Sequence, residues 1–303
     1  MFLRKVGSAV AIASLLLVSA CAGPVDPTAD DAGRLTVATA FYPFEFIAER
    51  VGGDQVAVSN LTQPGSEPHD LELTPRQVAA LATDDLVVYQ SGFQPAVDAA
   101  VEQAAPRRVV DAASFLTFLP AAVTGATTTA ALDPHTWQDP TTMIAVAEQV
   151  RDALIAARPE AKAEFTANTE ALVKDLTALD TDFSTGLARC ERTTFITSHA
   201  AFGYLAARYH LTQVGIRGLE PDVEPSAARI AEVQQLARAG GITTIFFETL
   251  VSPVVSDSIA ADLGLRTDVL DPLEGITAES RGTTYLEVMR SNLASLRTAN
   301  QCS

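Results

Sequence analysis

Histidine is the commonest protein ligand for transition metals, binding as neutral imidazole, and this chain has only four of them. His69, His135 and His199 fall at the ends of stretches that read as β-strands, or in the loops after them, where ligands bind in open α/β sheets. Glu67-Pro68-His69-Asp70 and Asp133-Pro134-His135 each set a proline before the ring and an acid nearby. Proline fixes its own backbone angle and biases the preceding residue toward extended backbone, so such loops hold a ring in place without metal. A lone loop histidine is more often a surface residue than a ligand; three in comparable settings reverse that reading. The fourth, His210, ends a helical stretch and reads as structural or exposed.

Zinc takes four ligands drawn from His, Cys, Asp and Glu. The best candidate for the fourth is Asp271 in Leu270-Asp271-Pro272-Leu273, after a short apolar segment; Glu248, at the end of Ile242–Phe247, is its rival, and Glu67 is a more distant one. His69 and His135 lie in the first half of the chain, His199 and Asp271 in the second, so they converge only if the halves face one another across a cleft. A zinc hydrolase would need an open coordination position and a general base. No His-Glu-x-x-His segment is present, and Glu248 is the only residue to test for the base.

The elements that must position these residues alternate. Strands are expected at Leu35–Thr39, Val56–Leu61, Asp85–Gln90 and Arg108–Asp111, with helices at Phe44–Val51, Pro75–Ala82 and Thr141–Ala157. From Pro159, the residues Phe165, Leu172, Leu176, Leu179, Phe183 and Leu187 recur at helical steps, giving one long amphipathic helix. Alternation then resumes, with strands at Thr194–Thr197, Gln213–Ile216 and Ile242–Phe247 and helices at Ala200–Tyr209, Pro225–Gly240 and Val254–Leu263. Strand and helix in turn imply parallel sheets. The fold class is α/β, with a lobe over 34–157, a linking helix over 158–188 and a second lobe over 189–303.

Ahead of the fold, Arg4 and Lys5 precede an apolar run from Val6 to Val18, too short to span a membrane comfortably. Residues 1–20 read as a lipoprotein signal peptide and 21–33 as a flexible tether. Leu17-Val18-Ser19-Ala20-Cys21 resembles a bacterial lipobox, which would put lipid on Cys21 and the protein outside the cytoplasmic membrane, anchored to it. Cys190 and Cys302 remain, an even pair in a compartment where disulfides persist, and they are expected to join. That bond closes a loop of about a hundred residues, worth up to ~4–5 kcal/mol in the chain-entropy treatment. The net charge of -16, with no basic run, argues against nucleic acid and for cations.

Four segments together carry a resemblance. Pro64-Gly65-Ser66-Glu67-Pro68-His69-Asp70 with Pro75, Asp133-Pro134-His135-Thr136-Trp137 with Asp139-Pro140, Ser198-His199-Ala200-Ala201-Phe202-Gly203-Tyr204-Leu205, and Leu270-Asp271-Pro272-Leu273 resemble, in order, the zinc/manganese-type solute-binding proteins of bacterial ABC importers. The resemblance implies two α/β lobes joined by a long rigid helix, and places metal ligands on His69, His135, His199 and Asp271. It implies capture of zinc, with manganese or mixed specificity as the alternative, and no catalysis. Its partners would be an ABC permease with a cytoplasmic ATPase, served by a monomer held at the membrane through Cys21. Imidazole at His199, where manganese-selective members often have glutamate, favours zinc. Against that, Leu119 to Leu132 is rich in Ala and Thr and lacks the histidines of a zinc-gathering loop. A surface adhesin on the same scaffold is a further alternative.

Overall fold

The structure is a computed structural model that describes residues 33–121 and 132–303. The signal-peptide reading, Cys21, nearly all of the tether and most of the Ala- and Thr-rich segment lie outside the described residues. No helix among the described residues is long and apolar enough to cross a membrane.

The first half runs β1 (Leu35–Thr39), α1 (Tyr42–Gly52), β2 (Val56–Asn60), α2 (Pro75–Leu81), β3 (Leu86–Tyr89), α3 (Pro95–Ala104), β4 (Val109–Asp111) and α4 (Pro140–Ala157). Proline stands at the start of all four helices, where its missing N–H has no intrahelical partner to lose. The strands pair in parallel in the order β2-β1-β3-β4. A parallel sheet covered on both faces calls for continuous apolar strands; Leu86, Val87 and Val88 are fully buried.

A single 3₁₀ turn at Pro159–Ala161 leads into α5 (Lys162–Gly186). Its Phe165, Leu172, Leu176, Leu179 and Phe183 are wholly buried, the stripe that the sequence period predicts. Beyond α5 come β5 (Thr194–Thr197), α6 (Gly203–Arg208), β6 (Thr212–Gly215), α7 (Ala227–Ala239), β7 (Thr244–Phe247), α8 (Val254–Leu263), β8 (Arg266–Val269) and α9 (Tyr285–Asn300). The second sheet repeats the first, parallel in the order β6-β5-β7-β8. Helix α9 packs on α5, and Cys190 is bonded to Cys302 just beyond it, as the sequence predicts.

Two helices, α3 and α9, lie where none was expected from the sequence. Both carry start signals, Pro95 in α3, which buries Val97, Ala100 and Val101, and in α9 Thr284 accepting from the Glu287 N–H. Strand β8 is longer than the apolar Val269–Leu270 segment suggests, because Arg266 and Thr267 are exposed and mask the pattern.

Candidate metal centre

In each sheet the strand order reverses direction beside the first strand, and crevices at such switch points open at the carboxyl ends of the strands. His69 lies in the connection after β2, His135 between β4 and α4, and His199 two residues beyond β5. A glutamine amide holds each of these loops. Gln94 donates to Thr62 Oγ1 (3.0 Å) and to the Pro68 carbonyl (3.1 Å). Gln90 donates to the Pro134 carbonyl (2.6 Å) and accepts from the Thr136 hydroxyl (2.6 Å). Gln213 donates to the His199 carbonyl (3.0 Å), which also accepts from Thr197 Oγ1 (2.6 Å). The rings are confined as well: His69 meets Phe93 edge-on at 4.8 Å, and His135 lies 5.2 Å from Trp137.

All three imidazoles are buried and present Nε2 to one carboxylate oxygen, Oε1 of Glu274, at 3.4 Å (His69), 3.3 Å (His135) and 3.3 Å (His199). Glu274 is itself fully buried. One ligand atom from each of the four residues lies within 4.8 Å of all the others, a grouping that could hold a metal ion. The Nε2 atoms of His135 and His199 and Oε2 of Glu274 are buried without a hydrogen-bond partner. Unpaired polar atoms in the interior are costly unless something else satisfies them.

The far side of each ring meets a second carboxylate. His135 Nδ1 lies 2.8 Å from Asp133, His199 Nδ1 2.9 Å from Glu248, and His69 Nδ1 3.3 Å from Glu220. Glu248 also accepts from the Ser198 hydroxyl. Such contacts make Nδ1 the donor, so that Nε2 carries the lone pair once a ring is neutral. Glu67, the distant candidate, accepts from the His69 backbone N–H at 2.9 Å, and its other oxygen is 3.9 Å from His69 Nε2.

Asp271 does not join the group. Its Oδ1 accepts from the Leu273 N–H (2.8 Å) and its Oδ2 from Ser280 Oγ (2.7 Å) and Thr249 Oγ1 (3.4 Å), while Asn292 on α9 clasps its backbone at N–H and C=O. Leu273 then adopts a left-handed backbone, φ 61°. This conformation costs a non-glycine residue about 1–2 kcal/mol. The carboxylate presented to the imidazoles after that turn is that of Glu274. Of the loop expected from the sequence, the structure brings Glu274 and not Asp271 to the imidazoles, since nothing in Asp271-Pro272-Leu273-Glu274 announces a leucine with positive φ. His210 is exposed, as expected.

Electrostatics follow the geometry. Burial lowers the His69 pKa, but contacts with Glu220 and Glu274 more than offset it and raise the ring to about 10. His199 is likewise desolvated, yet the charges of Glu248 and Glu274 hold it well above the usual imidazole value. Burial opposes the charge on Glu274, but His199 and the other two imidazoles keep its pKa well below the ordinary carboxylate range. Burial raises Glu67 to about 7, with His69 pulling the other way. A buried anion thus sits beside two rings, His69 and His199, whose proton affinity is raised.

Residues 37–299 match the family described as zinc-uptake complex component A, periplasmic (ZnuA). The chain belongs to the ZnuA family. Among curated relatives, the zinc-binding lipoprotein AdcA of Streptococcus pneumoniae serotype 4 is 34% identical over 304 residues, covering 94% of this chain and 60% of that protein. The high-affinity zinc uptake system protein ZnuA of Bacillus subtilis strain 168 is 32% identical over 312 residues, 98% of each chain. The chain therefore spans about 60% of AdcA and nearly all of the B. subtilis protein. In structure, the Zn(II)-bound ZnuA-like domain of S. pneumoniae AdcA superposes with a TM-score of 0.76 at 34% identity, covering 88% of this chain and 99% of that one. The laminin-binding protein Lmb of Streptococcus agalactiae, described as having adhesin and metal-transporting activity, gives 0.79 at 31% identity over the same shares. The parallel sheets are those expected from the alternation of elements, and the two lobes with a long helix between them are what the family resemblance implied.

Proposed function

We propose that this ZnuA-family chain captures one zinc ion outside the cytoplasmic membrane and delivers it to an ABC importer, with His69, His135, His199 and Glu274 as ligands. The observation that carries the reading is a set of three distances. Zinc bonds nitrogen at about 2.0–2.1 Å and oxygen at about 2.0–2.2 Å, so the edges of a regular tetrahedron around it are about 3.3–3.5 Å. The three Nε2-to-Glu274 separations are 3.3–3.4 Å. An ion at the centre would also satisfy the unpartnered nitrogens of His135 and His199. Three imidazoles and one carboxylate suit zinc better than manganese, which favours oxygen. The relatives named for zinc binding and zinc uptake support the same choice.

The chain acts as a binding protein rather than an enzyme, since four protein ligands leave no coordination position for a hydrolytic water. The lipid on Cys21, the extracytoplasmic location, the monomeric state and the permease with its ATPase belong to this proposal, and AdcA's description as a lipoprotein supports the anchor. An adhesin role is not favoured. Metal analysis by mass spectrometry on protein purified without added metal tests the reading: about one zinc per chain is expected, with loss of zinc in His199→Ala. Manganese in place of zinc, or zinc retained by that variant, overturns it.

A further inference from the structure

The three carboxylates behind the imidazoles are unlike one another. Asp133 sits two residues before His135 in the same loop, and Glu248 follows β7 in the same half as His199; both are buried. Glu220 is 60% exposed along its side chain and lies between β6 and α7, in the half of the molecule opposite the loop that bears His69. Of the three, it alone spans the two halves and is open to solvent.

Its segment is well rooted. The Arg217 N–H donates to the Ser198 carbonyl (2.9 Å) and the Ala200 N–H to the Gly218 carbonyl (2.8 Å), so the chain leading to Glu220 is fastened on both sides of His199. Pro221 restricts Glu220 to extended backbone. Across the cleft, the His69 Nδ1 contact is to Glu220. The carboxylate thus ties a metal-facing ring of one half to the loop carrying a metal-facing ring of the other.

We propose that Glu220 is a positioning residue, a latch across the cleft that holds His69 in its binding orientation and slows escape of the captured ion. The proposal rests on the zinc-capture reading above. A group that orients a ligating histidine contributes about 10–100-fold in metal affinity, and the exposure of Glu220 sets its share near the lower end through solvent screening. The effect falls on dissociation, because the latch acts once the ring has closed on the ion.

Stopped-flow release of zinc into excess chelator tests it, on wild type, Glu220→Ala, Glu220→Gln and Asp222→Ala. Release about tenfold faster in Glu220→Ala, an intermediate rate in Glu220→Gln, whose amide oxygen still accepts from Nδ1, and a near wild-type rate in Asp222→Ala support the latch. Asp222→Ala removes an equal charge from the same exposed segment, where Asp222 faces Glu67 and Asp70 rather than the His69 ring, so an equal acceleration there overturns the proposal in favour of general electrostatics. Unchanged release in Glu220→Ala also overturns it, as does a fall in the melting temperature of the metal-free variant large enough to account for the faster release. Failure of wild type to bind zinc, or binding unaffected by His199→Ala, would instead sink the capture reading.

Discussion

Exchanging Glu274 for glutamine keeps its shape and removes its charge, which separates the two acidic residues of one loop. Glu274 Oε1 stands 3.3–3.4 Å from three imidazole nitrogens, whereas the Asp271 oxygens are engaged by Leu273, Ser280 and Thr249. Losing a group that merely orients a ligand costs about 10–100-fold in affinity. Losing the only anionic ligand should exceed that range, so Glu274→Gln is expected to weaken zinc binding by more than ~100-fold, about 2.7 kcal/mol or more. Asp271→Asn keeps most of the turn and should cost no more than ~10–100-fold, as for other supporting residues. Competition against a chromophoric chelator of known affinity reads both. If Asp271→Asn loses more affinity than Glu274→Gln, or if Glu274→Gln stays within about tenfold of wild type, the assignment of the fourth ligand is wrong.

Acid should weaken zinc binding, because His69, raised to about 10, and His199, also raised, hold protons at neutral pH that the ion must displace. With two protons released, affinity rises about 100-fold per pH unit near pH 7; calorimetry in buffers of differing ionisation enthalpy counts the protons, and a count of zero refutes the coupling. Metal-free stability runs the other way: the His69 contribution is fully present below its unfolded pKa of about 6.5 and is lost as pH rises through about 10, which denaturant titration across that window checks. Cleaving Cys190–Cys302 with a reductant should lower stability by up to about 4–5 kcal/mol while leaving zinc stoichiometry unchanged; an unaltered denaturation midpoint would show the link to be energetically idle. Leu176→Ala, in the buried stripe of α5, should cost about 2–5 kcal/mol by the same measurement.

Hydrophobic period and proline placement made most of the frame legible before any coordinates. Val254–Leu263 and Thr194–Thr197 appear with the expected bounds, and α5 buries the residues its period names. The convergence of the three imidazoles was legible from their shared place after strands, with a proline before His69 and His135. What escaped was set by tertiary context. The charged start of β8 hides a strand that pairs with β7. The fourth carboxylate was lost for a finer reason: side-chain bonds to Asp271 and a left-handed Leu273 decide which acid of the loop faces inward, and neither follows from local propensity. The glutamine clamps Gln90, Gln94 and Gln213 were likewise invisible, since a polar side chain reveals its partner only once the loops are brought together.

The packing of α5 and α9 has a consequence for how such a molecule can be divided. One continuous apolar cluster runs from Leu35 to Ala299 and takes in side chains of both sheets as well as Leu172, Leu176, Leu179 and Phe183. Severing the backbone in the middle of α5 would strip this oily spine of its cover on either side. The two sheets look like twins in their strand order, yet they are covered unequally: the second keeps a separate apolar cluster around Ile196, Ile216, Val233 and Ile245 on its other face, while the first depends wholly on the shared one.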